Sequence, residues 1–421
     1  MASLLVFIFI LGYLAITLEH PLKIDKLIPA LLMMALSWAI IALSSTNVEA
    51  TNELLLHHFG KTSEILIFLM GAMAIVEMID YFDGFQSVQK IIKVRSKYGL
   101  LWVITFLAFG LSAIIDNLTS TIVLITIVRK IVPDKELRKW LIGFTVLSAN
   151  AGGAWSPIGD VTTTMLWIGG KVTALKLIEH LILPSLISIV VPLLIAKALP
   201  IFKGPYEPPL SSVKKPHAGL VLILGLLLII FVPIFKTITH LPPYMGMLFS
   251  LAIFALMGEF LSKRHLNLSS IAENQKDGHV GPTLKSLSKI EMPSILFFLG
   301  ILMTVAGLES MGLIAEFGAK VLNAGISKEL YISILGLGSA IVDNVPLVAA
   351  SMAMFNDLQD ASSWHMIAFA AGTGGSILII GSAAGVVAMG MEHIEFGWYF
   401  KRIAPLALMG YLAGLLVLLL Y

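Results

Sequence analysis

The sequence predicts an all-α polytopic membrane protein, and three observations carry that prediction. Apolar residues make up 57% of the chain and charged residues only 13%, about half the charged fraction of a soluble domain. The mean hydropathy is +0.92. Apolar runs of spanning length recur from one end to the other, and about 20 such residues in a helix cross a ~30 Å hydrocarbon core. The chain contains no cysteine, which excludes disulfides, thiolate metal sites and cysteine nucleophiles.

Taken in order, spans are expected near 2–18, 27–45, 64–82, 140–168, 175–199, 218–236, 244–261, 291–309, 364–391 and 402–421. The first run lacks a basic flank and a small-residue cleavage site, so it reads as a span rather than a signal peptide. Cytoplasmic loops carry the Lys/Arg excess of a membrane protein. With both termini outside, all but six of the 28 Lys and Arg residues fall on the cytoplasmic side, the six being Lys61, Lys171, Lys176, Lys236, Lys320 and Lys328.

Two apolar stretches break the alternation. Segment 100–132 is basic on both flanks, with Lys97 before it and Arg129 and Lys130 after. Its arms, Leu100–Ile115 and Thr119–Ile131, hold roughly 13 to 16 residues at ~1.5 Å each, too short to cross. A re-entrant hairpin entered from the cytoplasm is expected there. Segment 329–358 is expected to repeat the geometry from outside, flanked by Glu329, Asp357 and Asp360.

Internal similarity organises the rest. The tip Leu111-Ser-Ala-Ile-Ile-Asp-Asn-Leu118 matches Gly338-Ser-Ala-Ile-Val-Asp-Asn-Val345. Upstream, Ile65-Leu-Ile-Phe-Leu69 matches Ile295-Leu-Phe-Phe-Leu299; downstream, Ala151-Gly-Gly-Ala-Trp-Ser-Pro-Ile-Gly159 matches Thr373-Gly-Gly-Ser-Ile-Leu-Ile-Ile-Gly381. Each half holds five spans and one hairpin, and an odd number of spans inverts the second half relative to the first. The expected organisation is a first repeat over 1–199 (hairpin 100–132, broken helix 140–168), a cytoplasmic linker over 200–217, and a second repeat over 218–421 (hairpin 329–358, broken helix 364–391). The glycine-rich runs, Ser148–Asp160 with Pro157 and Ala371–Gly385 without proline, are expected to unwind near the midplane. Inverted-repeat carriers bind their substrate at such breaks.

Charge inside a bilayer is costly and points to function. On this topology the deep charges are the acids Glu77, Asp116, Asp160 and Asp343, among Asn117, Asn150, Asn344, Thr162, Thr163, Ser339, Ser376 and Ser382. Carboxylate, amide and hydroxyl oxygens are hard ligands suited to small cations. A proton and a cation compete for the same carboxylate oxygens, which suffices for exchange. The structural alternative stays open at each position: Asp116, Asp160 and Asp343 could each cap the helix that follows, and Glu77 could end its helix in solvent. His57, His58 and His180 read as external surface histidines.

The tip Ile115-Asp-Asn-Leu-Thr-Ser120, the run Ser148–Thr164 and the second tip Ser339–Pro346 resemble the NhaD-type sodium/proton antiporters of the ion transporter superfamily. The likeness covers essentially the whole chain, and the middle motif is its most specific part. The resemblance implies export of Na⁺, and of Li⁺, in exchange for external H⁺ by alternating access across a bacterial inner membrane. It also implies a homodimer in the lipid bilayer, with no bound cofactor and no nucleic-acid partner. Carried over by position, its cation and proton residues are Glu77, Asp116, Asn117, Asn150, Asp160, Thr162, Thr163, Ser339, Asp343, Asn344, Ser376 and Ser382, with Asp116, Asp160 and Asn150 on the Na⁺. Ser382 aligns with Asp160 and Gly372 with Asn150, so the first half is expected to hold most of the ion. The alternatives are an arsenite or dicarboxylate carrier of the same superfamily, a channel, and an intramembrane aspartyl protease using two of the aspartates.

Overall fold

The structure is a computed structural model that describes residues 2–17, 23–85, 87, 92, 94–206, 217–264, 281–314, 316–317, 320, 325–341 and 344–420. Among these residues it is helical, with no strand and a single antiparallel bridge between Ser96 and Pro205. The helices are α1 Ala2–Thr17, α2 Leu27–Ser44, α3 Val48–Tyr81, α4 Lys97–Ile115, α5 Asn117–Ile131, α6 Lys135–Ala154, α7 Val161–Ile168, α8 Ala174–Ala196, α9 Ala218–Thr239 and α10 Pro243–Arg264. They continue with α11 Pro282–Leu287, α12 Met292–Ser310, α13 Lys328–Gly338, α14 Asn344–Met354, α15 Ser362–Gly374, α16 Ala383–Glu392, α17 Phe396–Arg402 and α18 Ala404–Leu420. Seven of the described helices are long and apolar enough to cross a membrane, and the pair α17–α18, bent by 50°, makes an eighth. The chain is thus the polytopic all-α protein its composition predicts. Asp343, the linker residues 207–216, and Lys90, Lys93, Lys214, Lys215 and Lys276 lie outside the described residues.

Local chemistry starts the helices where the sequence places caps. Ser96 accepts from the Gly99 amide at 3.1 Å, Asp134 from Glu136 at 3.0 Å, and Ser327 from Leu330 at 3.2 Å. Each satisfies an amide that the first helical turn leaves unpaired. The outer helices show what a lipid solvent selects. On α9, Leu220, Ile223, Leu227, Ile230 and Ile234 are all exposed at spacings of three and four residues, one apolar stripe of a helix.

The chain forms two compact units. One comprises Met1–Leu66, Val94–Pro208 and Pro293–Tyr421; the other comprises Ile67–Lys93 and Pro209–Met292. The second unit packs the later part of α3 against α9 and α10, with Ile79 against Gly225 and Met78 against Gly258. At the heart of the first unit lie α6 and α15. Every residue of α6 from Trp140 to Ala154 is at least largely enclosed, with Leu141–Ala154 continuously buried, and on α15 so is Ser363–Gly374. Helices covered all round belong in an interior. Around them, α4 packs on α6 and α13 packs on α15, while α5 packs back on both α4 and α6. Compactness therefore divides the chain differently from the expected repeat boundary near 200–217, because elements of both halves meet in one unit.

Three expectations are corrected in detail. The external loop before 64 is helical: α3 is a single helix of 34 residues that carries His57 and His58. The first arm of the first hairpin is longer than expected: Ser96 starts α4 early and extends it to 19 residues, which places it among the seven helices long and apolar enough to cross. The glycine runs unwind less than expected. Helix α6 continues through Asn150, Gly152 and Gly153 to Ala154, and α15 continues through Gly374, leaving breaks at 155–160 and 375–382. These glycines serve close approach instead. A Cβ at Gly152 would collide with the Phe109 carbonyl, and one at Gly374 with the Gly336 carbonyl. At the following breaks, a Cβ on Gly159 would sit 2.8 Å from the Ser112 carbonyl oxygen, and one on Gly381 2.6 Å from that of Ala340.

Candidate functional site

The site grows from two hairpin tips and two helix breaks. Between α4 and α5 the chain turns at Asp116, which holds φ 73°, ψ 161°. A non-glycine residue with positive φ needs local compensation. Here the Asp116 carboxylate provides it by accepting from the Thr119 amide and the Thr119 hydroxyl, each at 2.8 Å. Asp116 is half-buried at the tip, whereas its neighbour Asn117 points inward and is buried.

Asp160 stands at the second feature, the break between α6 and α7. It is 2% exposed. Its Oδ1 accepts from the Thr162 amide at 3.2 Å, so it caps α7. Its Oδ2 accepts from Asn117 Nδ2 at 3.2 Å and from Asn344 Nδ2 at 3.0 Å. The two hairpin tips therefore converge on one carboxylate oxygen. Asn117 Nδ2 also donates to Asn150 Oδ1 at 3.0 Å, and Asn150 Nδ2 donates to the Val146 carbonyl at 3.1 Å and to Ser382 Oγ at 2.9 Å. Ser382 caps α16 by accepting from the Gly385 amide at 3.3 Å. One connected network thus joins the first residues or caps of α5, α7, α14 and α16.

Burying an ion in a low-dielectric interior costs several kcal/mol unless dipoles replace its hydration. The amides and helix N-termini around Asp160 are such dipoles, since helix N-termini carry partial positive charge. Among the described residues the buried set contains the carboxylates Asp160 and Glu392 and no Lys or Arg. The Thr162 hydroxyl beside Asp160 is buried without a hydrogen-bond partner, an oxygen left over for a ligand.

The other expected residues divide by what their side chains touch. Thr163 Oγ1 donates to the Asp160 carbonyl at 3.0 Å. Ser339 donates to the Ala371 carbonyl at 2.8 Å, as Ser112 at the corresponding tip position donates to Ala149. Ser376 donates to the Thr373 carbonyl at 2.7 Å, while the Ser376 carbonyl accepts from Tyr399. All three pin backbone beside the network. Glu77 lies half-buried on α3 in the other unit.

Two buried groups escaped the sequence reading. Glu392, 6% exposed at the end of α16, accepts from Arg129 at 2.9 Å and from Arg138. His365, 1% exposed on α15, stacks on His180 with ring centroids 4.5 Å apart, so His180 is not a plain surface residue. The available signal for Glu392 was an acid ending an apolar run at the face richest in basic residues, which also describes an ordinary solvated helix end.

Similarity searches agree with this architecture. A family model described as "CitMHS: Citrate transporter" matches residues 7–370. The chain is 44% identical to sodium/proton antiporter 1 of Arabidopsis thaliana over 97% of its own length and 70% of the relative. It is 42% identical to sodium/proton antiporter 2 of the same plant over 97% of each chain. It is 32% identical to the Na⁺/H⁺ antiporter NhaD of Vibrio cholerae over 97% of its length and 90% of that protein. The crystal structure of the YdaH transporter of Alcanivorax borkumensis superposes with a TM-score of 0.56, covering 93% of this chain and 95% of that one at 13% identity, a likeness of fold alone. These relatives are transporters rather than enzymes. The chain belongs to the CitMHS transporter family and, within it, to the NhaD-type sodium/proton antiporters.

Proposed function

We propose that the protein exchanges Na⁺ for H⁺ across a membrane, with both ions taking turns at Asp160. One observation carries the reading: Asp160 is a buried carboxylate whose Oδ2 is shared by asparagines from both hairpin tips. With no cation present, the amide N–H groups of Asn117 and Asn344 stabilise the carboxylate. A half-turn of either amide replaces its donor by its oxygen, so the same residues become ligands when Na⁺ enters. Asn150, Ser382 and the Thr162 hydroxyl would supply further oxygens toward the kind of shell hard cations prefer. A proton on Asp160 removes the negative charge that holds the cation. Occupation by one ion thereby excludes the other. Asp116 shapes the first tip through Thr119, and Asp343, beside Asn344 in sequence, is proposed to do the same at the second.

Two inverted repeats are part of this proposal. In its support, Gly152 approaches Phe109 as Gly374 approaches Gly336, and Ser112 bonds Ala149 as Ser339 bonds Ala371. The basic residues Arg129, Arg138, Lys401 and Arg402 would face the cytoplasm. Acceptance of Li⁺, alternating access, a homodimer and a bacterial inner-membrane location belong to this proposal as what the resemblance to the NhaD-type antiporters implies.

The test is Na⁺-driven proton movement in proteoliposomes holding the purified chain. Asp160→Asn, which keeps size and hydrogen bonding but cannot ionise, is expected to abolish the signal. Full activity in that variant overturns the assignment. A second reading, an anion carrier, is favoured by the four helix N-termini joined in one network, which suit a negative charge. Here Asp160 already supplies that charge. Uptake of citrate or arsenite by the unsubstituted protein, without Na⁺/H⁺ exchange, would establish the anion carrier instead.

A further inference from the structure

Two pairs of helices leave the Asp160 network in different directions, and they end differently. Helices α7 and α14 begin at Asp160 and Asn344 and pack against each other. Beside their far ends lies a cavity of about 450 Å³, lined by Met165, Ile168, Ala349, Met352, Thr62 and Glu309 among others. This volume admits water many times over, and Lys61, Glu64 and Lys171 on its wall make it a wet site.

Helices α5 and α16 begin at Asn117 and Ser382, the other two members of the network, and also pack together. Their far ends are tied. Glu392 at the end of α16 is buried between Arg129, near the end of α5, and Arg138, in the first turns of α6. Arg138 also donates to the Val132 carbonyl at 3.4 Å, holding the chain between α5 and α6. The broken span α6–α7 runs from Arg138 at its start to Ile168 at its end, with Asp160 between. Tie and cavity therefore lie towards opposite ends of that span.

The offsets of the internal similarity sharpen the contrast. At the spacing of the hairpin tips Arg129 corresponds to Asn356, and at the spacing of the broken helices Glu392 corresponds to Gly170. The α7–α14 pair cannot make this ion pair, and that pair is where the cavity lies.

We propose that the α7–α14 cavity is the outer end of the ion path to the Asp160 network, and that Glu392 latches the inner face shut by holding α5, α6 and α16 together. Release of an ion on the inner side requires α5 and α16 to part, which breaks the Arg129–Glu392 pair. Removing either side of the latch leaves the other charge poorly paired in the state that encloses it, so weakening the latch shifts the population toward the inward-open state. Glu392 is a positioning residue, acting on access rather than on the ion. The inference rests on the transport reading above.

The chain has no cysteine, so single cysteines report accessibility without background. Ala353→Cys, on the cavity wall, is expected to react with a membrane-impermeant maleimide from outside. Ala388→Cys, buried on α16 between Ser382 and Glu392, is expected to resist it from inside. Adding Glu392→Gln should speed inside labelling of Ala388→Cys at least several-fold and slow outside labelling of Ala353→Cys. Arg129→Gln, which leaves the Arg138 contact in place, should give a smaller shift of the same sign and serves if Glu392→Gln fails to fold. An inert Ala353→Cys in the chain with an intact latch, or an Ala388→Cys that stays protected in the folded latch variants, overturns the proposal. Labelling is indifferent to the ion carried, so loss of exchange with this pattern intact would count against the Na⁺/H⁺ reading alone.

Discussion

Asn117 and Asn344 hold matching places at the two tips and donate to the same oxygen of Asp160, at 3.2 and 3.0 Å. Asp116 sits one residue earlier, and its carboxylate bonds Thr119 of its own helix. The geometry thus separates the members of the Asp-Asn motif: the aspartate shapes the turn and the asparagine reaches the buried charge. In the cation-bound state each asparagine turns its oxygen to the ion and steadies the carboxylate ligand, and groups in such roles are worth about 10- to 100-fold in metal affinity. Asn117→Ala and Asn344→Ala are each expected to raise the apparent KM for Na⁺ about 10- to 100-fold in proteoliposomes. Asp116→Ala loses a helix cap worth about 1 kcal/mol. It is expected to lower the thermal midpoint by a few degrees while Na⁺/H⁺ exchange persists. An Asp116→Ala protein that folds normally but exchanges nothing would move Asp116 into the ion's coordination shell.

At the scale of helices, the glycine motifs work by contact. Helices α4 and α6, and likewise α13 and α15, touch backbone to backbone where Gly152 meets Phe109 and Gly374 meets Gly336. A methyl group there meets a carbonyl oxygen rather than a flexible side chain, so the helices themselves must separate. Overpacking typically costs 1–3 kcal/mol, and a rigid backbone neighbour places this case at or above about 3 kcal/mol. Gly374→Ala is expected to melt well below the parent protein and to elute as aggregate in size-exclusion chromatography. Gly390→Ala is the control: nothing lies within 4 Å of its Cβ position, inside the same type of helix. It should be neutral or stabilising by up to about 1 kcal/mol, as the helix propensities of glycine and alanine imply. Equal thermal midpoints for the two variants would contradict the close-contact account.

For the whole molecule, a site shared by two ions makes transport depend on pH through competition. If one proton excludes one Na⁺ at Asp160, each unit fall in pH on the binding side raises the apparent KM for Na⁺ by up to about tenfold, while the maximal rate at saturating Na⁺ holds. Flux measured against Na⁺ at several pH values checks this. A maximal rate that falls with pH at unchanged KM would place the proton elsewhere than on the cation's ligands.

The sequence by itself determined the class, the breaks and the candidates for the site. Composition made the chain a membrane protein, because an exterior facing lipid must be apolar. The repeated tips located the turns at Asp116 and near Asn344, because a polar pair within an apolar run marks a place where a helix cannot simply continue. The same reading named Asn150, Asp160, Thr162 and Ser382. Tertiary structure decided how these residues divide the work. That Asn117 bonds Asp160 while the Asp116 carboxylate bonds Thr119 depends on the backbone angles at one turn. The glycines of Ala151–Gly159 remain partly helical because α4 packs close enough to need them small. Glu392 is a buried, doubly paired acid because α5, α6 and α16 meet at one end. No local pattern encodes a meeting between residues some 250 positions apart, since such contacts exist only once the distant segments have packed.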